Sequence, residues 1–156
     1  MALAPRPHGA RIEQKSSGSV ALALTNASIW GIVAIAADAD AAAFPLDTAV
    51  LIVDLGAAVA DAGENGTLSN VLISLRTFGK SVGVVVRVAE GEDDADTDDN
   101  VVAGIAKLRL APQSIGVKPR VIGAPGLDTV EVRPALGLAV VALSGGAHSG
   151  GIGRDP

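Results

Sequence analysis

The chain has 156 residues and a formal net charge of -5, with 49% hydrophobic but only 2% aromatic residues and no cysteine. Such a length suits one domain; the acidic balance, with lysines and arginines scattered, argues against a phosphate backbone as partner, and the missing cysteines exclude disulfides, thiolate nucleophiles and cysteine-ligated zinc. Because Trp30, Phe44 and Phe78 are the whole aromatic stock, the core has to be built from Ala, Val, Ile and Leu, and neither a base-stacking platform nor a deep aromatic pocket is expected.

Residues 1–22 carry prolines, glycines and scattered charges without a helical period, which predicts an extended N-terminal arm. They show no cationic start leading into an apolar stretch, so a signal peptide is not expected. The longest apolar run, "ASIWGIVAIAA" from Ala27 to Ala37, falls short of the roughly 20 residues that cross a bilayer and reads as a buried strand over Ile29–Ile35. Pro45 forbids helix just before it, so Asp38–Asp47 reads as a loop or a short turn. "AVLIVD" (Ala49–Asp54) has the uninterrupted apolar character of a strand covered on both faces, and the alanine-rich "LGAAVADAG" after it predicts a helix ending at Gly63.

In "GTLSNVLISLRTFG" the residues Leu68, Val71, Leu72, Leu75 and Phe78 recur at helical spacing, with Thr67 placed to cap the first turn and Gly79 to stop the last. "SVGVVVRV" (Ser81–Val88) is a β-branched strand. The order strand, helix, helix, strand then implies a crossover between parallel strands, and the fold class is α/β, a mixed or mainly parallel sheet with flanking helices. "EGEDDADTDD" (Glu90–Asp99) holds seven carboxylates in ten positions and reads as a solvated loop. "VVAGIAKLRL" predicts a modest helix ending near Pro112, and "GVKPRVIGAPGLD" (Gly116–Asp128) a strand over Val117–Gly123 followed by a turn. Beyond Asp128 the glycine and alanine richness shows no period, and residues 129–156 are expected to be an unstructured tail.

The chemistry on offer is thin. "FGKS" (Phe78–Ser81) resembles the end of a phosphate-binding loop, but Ser74 stands where that loop requires glycine and the order here is helix into strand, so an ordinary helix end is the better reading. Asp94, Asp96 and Asp98 alternate as in a calcium loop, yet Asp99 and Ile105 occupy the places of its glycine and its bidentate glutamate. His8 and His148 sit in the leader and the tail, without the rigid frame that a catalytic triad or a metal site needs. Asp38, Asp40, Asp47 and Asp54 flank apolar segments, where aspartate ordinarily caps or turns the chain. No catalytic residue, metal or cofactor is assigned, and the chain is read as not an enzyme. The competing readings are a small α/β binding domain for a nucleotide or other anion, received by the Gly123–Asp128 loop at a strand end, and, more weakly, a metal-dependent hydrolase built on the acidic run.

Taken in order, "ADADAAAFPLDTAVLIVD", "AGENGTLSNVLISL", "VGVVVRVAEGE" and "GVKPRVIGAPGLD" resemble the contractile tail sheath proteins of myophages and phage-tail-like bacteriocins, over about Ala27–Asp128. The leader's "HGARIEQ" is more loosely similar to the family's amino-terminal "HHGVRV" type of segment. The resemblance implies a structural protein that stacks helically around an inner tube and shortens when the baseplate triggers, driving the tube through a cell envelope. Implied partners are neighbouring sheath subunits, the inner tube protein and the baseplate, with no nucleic acid and no membrane. The implied location is the virion tail, reached from the bacterial host cytoplasm where the subunits are made and assembled. Family members link subunits by terminal arms that add strands to a neighbour's sheet. On that pattern Arg11, Ile12, Glu13 and Val20 are the subunit-interface candidates, with Ile12 and Val20 setting register.

The family continues past "GAPGLD" into further sheet elements and a carboxy-terminal domain, whereas this sequence leaves the pattern after Asp128. The expected organisation is therefore an arm (1–22), a partial sheath-like α/β domain (23–128) and a divergent tail (129–156), as in a truncated or frame-disrupted copy. The strand over Val117–Gly123 is expected to leave an apolar edge open to pairing with other chains.

Overall fold

The computed structural model of the chain describes residues 29–79 and 81–144. In chain order the elements are β1 (Trp30–Ile35), β2 (Ala49–Ile52), α1 (Leu55–Asp61), α2 (Leu68–Thr77), β3 (Gly83–Val88), α3 (Asp94–Arg109), α4 (Ala111–Ser114), β4 (Val121–Gly123) and α5 (Val132–Ser144). Among the described residues the strands form one four-stranded sheet in the order β2-β3-β1-β4. β3 and β4 both run parallel to β1, and β2 runs antiparallel to β3. The expected α/β class with a mixed sheet is thus what the chain adopts.

Alternation along the strands sorts the core into two clusters, one on each face of the sheet. Val33 and Ile35 of β1 join Val84, Val86 and Val88 of β3 under Val101, Ile105 and Leu108 of α3 and Val132 and Ala139 of α5. On the other face Trp30, Ile32 and Ala34 of β1, with Val85 of β3, meet Leu55 and Ala58 of α1, Leu68 and Leu72 of α2 and the ring of Phe44. Helices therefore cover both faces, and β1 is buried along its whole length. With so few aromatics, closeness of approach replaces bulk. Gly104 lets α3 lie directly on the sheet, since a Cβ there would stand 2.6 Å from Val88 Cγ1 and 2.8 Å from Val33 Cγ1.

Several elements depart from the sequence expectations. β2 and β3 are antiparallel, not joined by a parallel crossover. Each helix reverses the chain's direction, so α1 and α2 in succession return it to the end of the sheet where β2 stopped; the parallel crossovers are the longer one from β1 to β3 and the one from β3 to β4. β2 is an edge strand rather than a strand covered on both faces, with three half-buried residues and only Ile52 buried. Thr67 stands at the N-cap of α2 but gives no side-chain cap there. Its hydroxyl instead accepts from the Ile35 N–H at 3.2 Å, while its own N–H donates to the Ile35 carbonyl at 2.8 Å, tying the helix start to the end of β1.

The acidic run is not all loop. Asp93 is the N-cap of α3, its carboxylate accepting from the Asp96 N–H at 2.8 Å, and Asp94 and Asp96 occupy the first turn, where negative charge offsets the partial positive charge of the helix N-terminus. The strand expected over Val117–Gly123 shortens to Val121–Gly123, because Pro119 breaks the ladder. Where an unstructured tail was expected, residues 132–144 form α5, packed on α3 and β4. Thr129 starts that helix, its Oγ1 accepting from the Val132 N–H at 3.3 Å.

Candidate functional site

The carboxylates that flank the strands serve the backbone. Asp38 accepts from the Glu64 and Asn65 N–H groups at 3.0 and 2.9 Å and from Asn65 Nδ2 at 3.0 Å; these bonds, Glu64 first, hold its carboxyl below the usual aspartate range. Asp40 accepts from the Ala42 N–H at 2.8 Å, closing a turn. Asp54 caps α1 through the N–H groups of Gly56 and Ala57, and Asp47 occupies a left-handed turn position, with φ 53°. Arg87 of β3 is likewise spent on the loop, its Nη1 donating to the carbonyls of Ala39 and Phe44 at 3.2 and 2.9 Å. Among the described residues no three His, Asp or Glu side chains gather closely enough to hold a metal ion, and no helix is long and apolar enough to cross a membrane.

Nor does the sheet's carboxyl end suit an anion. The loop after β4 closes as a turn, the Leu127 N–H donating to the Ala124 carbonyl at 2.9 Å with Gly126 at φ 76°. Thr129, just beyond, donates its hydroxyl to Asp98 Oδ2 at 2.8 Å. The loops leaving β1, β3 and β4 bring Asp38, Asp40, Glu90, Glu92, Asp93 and Asp128 to this end, with no lysine or arginine among them. An anion would meet carboxylates here.

What the molecule does offer is an open edge. Among the described residues β4 pairs with β1 on one side only and is the last strand of the sheet, and its Val121 is 59% exposed. An apolar groove of about 410 Å³ runs along one face of β4, lined by Trp30, Ile32, Val71, Leu75, Phe78 and Ile122 among others. A second, of about 380 Å³, lies by Lys118, Pro119, Arg120, Ile122, Val140 and Leu143. Phe78, expected on the buried stripe of α2, is instead 88% exposed: α2 stops at Thr77, so the ring swings out at the helix end beside the groove. α5 adds Leu138 and Val141, both largely exposed. An unpaired strand edge flanked by apolar grooves is the arrangement that accepts an added strand, main-chain bonds giving affinity and the grooves side-chain selectivity.

The candidates Arg11, Ile12, Glu13 and Val20, together with His8, His148 and Lys80, lie outside the described residues. Among the described residues the expected open edge is present at β4, whereas the exposure of Phe78 was missed; its place directly before Gly79, at a helix stop, was the available signal.

No protein-family model matches the chain. Similarity to individual proteins is clear: it is 38% identical over 144 residues to the tail sheath protein of Escherichia phage P2 and 35% identical over 141 residues to the major tail sheath protein of Serratia phage KSP20. Each match takes in 83% of this chain and 36% of the relative. Along most of its length, then, the chain is homologous to phage tail sheath proteins, spanning about a third of theirs.

Proposed function

We propose that the chain is a structural subunit of a contractile phage tail sheath, or the portion of one that it spans, acting through subunit packing and not through catalysis. The observation that carries this reading is the match to two tail sheath proteins over 83% of the chain. The open β4 edge and its grooves support it, because a protein that works by joining copies needs surfaces left incomplete in the single subunit. Residues 1–22 serve as an arm that adds a strand to a neighbour's sheet, with Arg11, Ile12, Glu13 and Val20 at that contact, and repetition of such a heterologous link builds a helix and not a closed ring. The inner tube protein and the baseplate are the other partners, in the virion tail, after synthesis in the host cytoplasm. Contraction is then a rigid-body rearrangement of subunits, its free energy held in their contacts.

Negative-stain microscopy of the purified chain with and without tube protein tests this. Striated tubes or filaments are expected. A monodisperse monomer at every concentration, with a melting temperature that rises on adding nucleotide, would overturn the reading in favour of a small-ligand domain.

A further inference from the structure

Among the described residues, charge is sorted by end. The carboxyl ends of β1, β3 and β4 carry Asp38, Glu90, Glu92, Asp93 and Asp128, and α3 begins there with Asp94 and Asp96. The opposite end carries Arg76 in the last turn of α2, Lys107 and Arg109 in the last turn of α3, and Lys118 and Arg120 on the approach to β4. The exceptions among the described residues are spent within the subunit. Asp54 caps α1 at the basic end, while Arg87 and Arg133, toward the acidic end, donate to the carbonyls of Ala39, Phe44 and Asp128.

Helix dipoles account for part of this pattern, since acids suit helix starts and bases suit helix ends. They do not account for Glu90, Glu92, Lys118 and Arg120, which are exposed and lie outside every helix. Nor can the two ends neutralise each other inside one subunit. The 16 residues of α3 hold its charged ends about 22 Å apart at 1.5 Å per residue, well beyond the Debye length of about 8 Å at physiological salt. A second copy stacked in the same direction brings the opposite signs into contact. An inverted copy sets like against like, and the net charge of -5 repels copies that approach without orientation.

We propose that copies of this chain associate head to tail along the strand direction, the acidic end with Glu90 and Glu92 of one copy meeting the basic end with Lys118 and Arg120 of the next. The inference rests on the sheath reading for its partner, a second copy, and adds the surfaces and the polarity of their contact. It is a heterologous contact, able to repeat without closing.

The test is sedimentation equilibrium of the full chain and two exposed-surface variants, each first checked for an unchanged thermal melt. Self-association of the parent should weaken as ionic strength rises. Glu90→Lys/Glu92→Lys places positive charge on the acidic side of the contact and Lys118→Glu/Arg120→Glu negative charge on its basic side, so each alone should associate about tenfold more weakly at low salt. Mixing the two variants should restore association, because each then supplies the complement of the other. Association indifferent to salt and to both variants, a mixture no better than its components, or a parent monomeric at every salt would overturn the proposal. Striated tubes formed with tube protein by a chain whose association ignores these charges would sink the polarity and leave the sheath reading standing. Mixing rescue without tubes under any condition would support the polarity and count against the sheath.

Discussion

β1 and β4 lie side by side, joined by the same parallel ladder, yet they belong to different regimes. β1 is buried at all six positions between helices on both faces, whereas β4 is three residues long, with Val121 exposed and the other two half-buried. The interior strand specifies the fold, because every residue on it has a partner on the layer above or below. Among the described residues the rim strand is held by one neighbour and leaves main-chain groups and apolar surface for something else to cover. Substitutions should therefore separate cleanly, with stability lost in the centre and association lost at the rim.

The largest effect is expected at Leu108, fully buried where α3 crosses the sheet. Leu108→Ala should lower unfolding free energy by about 3 kcal/mol, the ordinary cost of a buried cavity, measured by urea denaturation. A loss below about 1 kcal/mol would mean that α3 is not seated as described. Gly104→Ala comes next. Its methyl would press on Val88 and Val33, both stiff β-branched residues, at a cost of about 1 to 3 kcal/mol against the roughly 1 kcal/mol that alanine gains in a helix. Net destabilisation by about 1 kcal/mol is the expected outcome, and a stabilised variant would show that the helix stands off the sheet.

At the rim the ordering inverts. Val121→Lys should change stability by no more than about 0.5 kcal/mol, as an exposed substitution, while weakening the part of self-association that persists at high salt and runs through the β4 edge, because a charged edge resists strand addition. Chemical denaturation and light scattering on the same sample check both halves. Lost stability with unchanged association would place Val121 in the core regime and erase the contrast.

How much of this was legible follows from the same contrast. β1, α2 and β3 were readable because burial writes period into sequence: near-continuous Val and Ile for a strand covered on both faces, Leu68, Leu72 and Leu75 at helical spacing for a helix covered on one. α3's start was misread because seven carboxylates look like solvation, although Asp93 followed three places later by Asp96 is a capping signal within the sequence itself. α5 was missed for the opposite reason, being apolar on nearly all sides, so that no period shows; Thr129 as a cap and Pro134 in the first turn were the available clues. The direction of β2 was beyond local pattern, since it depends on α1 and α2 pairing with each other. The open edge could be foreseen from the resemblance, but the grooves beside it could not, because they are made by residues such as Trp30 and Ile122 that are distant in sequence.

Asp38 supplies the smallest and most specific test, at the acidic end of the sheet. Its carboxylate holds the Gly63–Asn65 turn against the loop after β1 through three donors, and the bonds from Glu64 and Asn65 depress its pKa. The folded chain therefore binds this proton less readily than the unfolded chain. The contribution is fully present above the unfolded aspartate value and disappears as pH falls through the lower, folded one. Asp38→Asn keeps the shape but removes the charge, so the stability gap between parent and variant should be constant near neutrality and close only below the ordinary aspartate range. Being exposed, the group should produce a small gap, and an NMR titration of the Asp38 carboxyl carbon should find its midpoint displaced downward. A midpoint at or above the ordinary value, or a gap independent of pH, would mean that the rim loop is held by its backbone alone and that the carboxylates gathered at this end are free to face another copy.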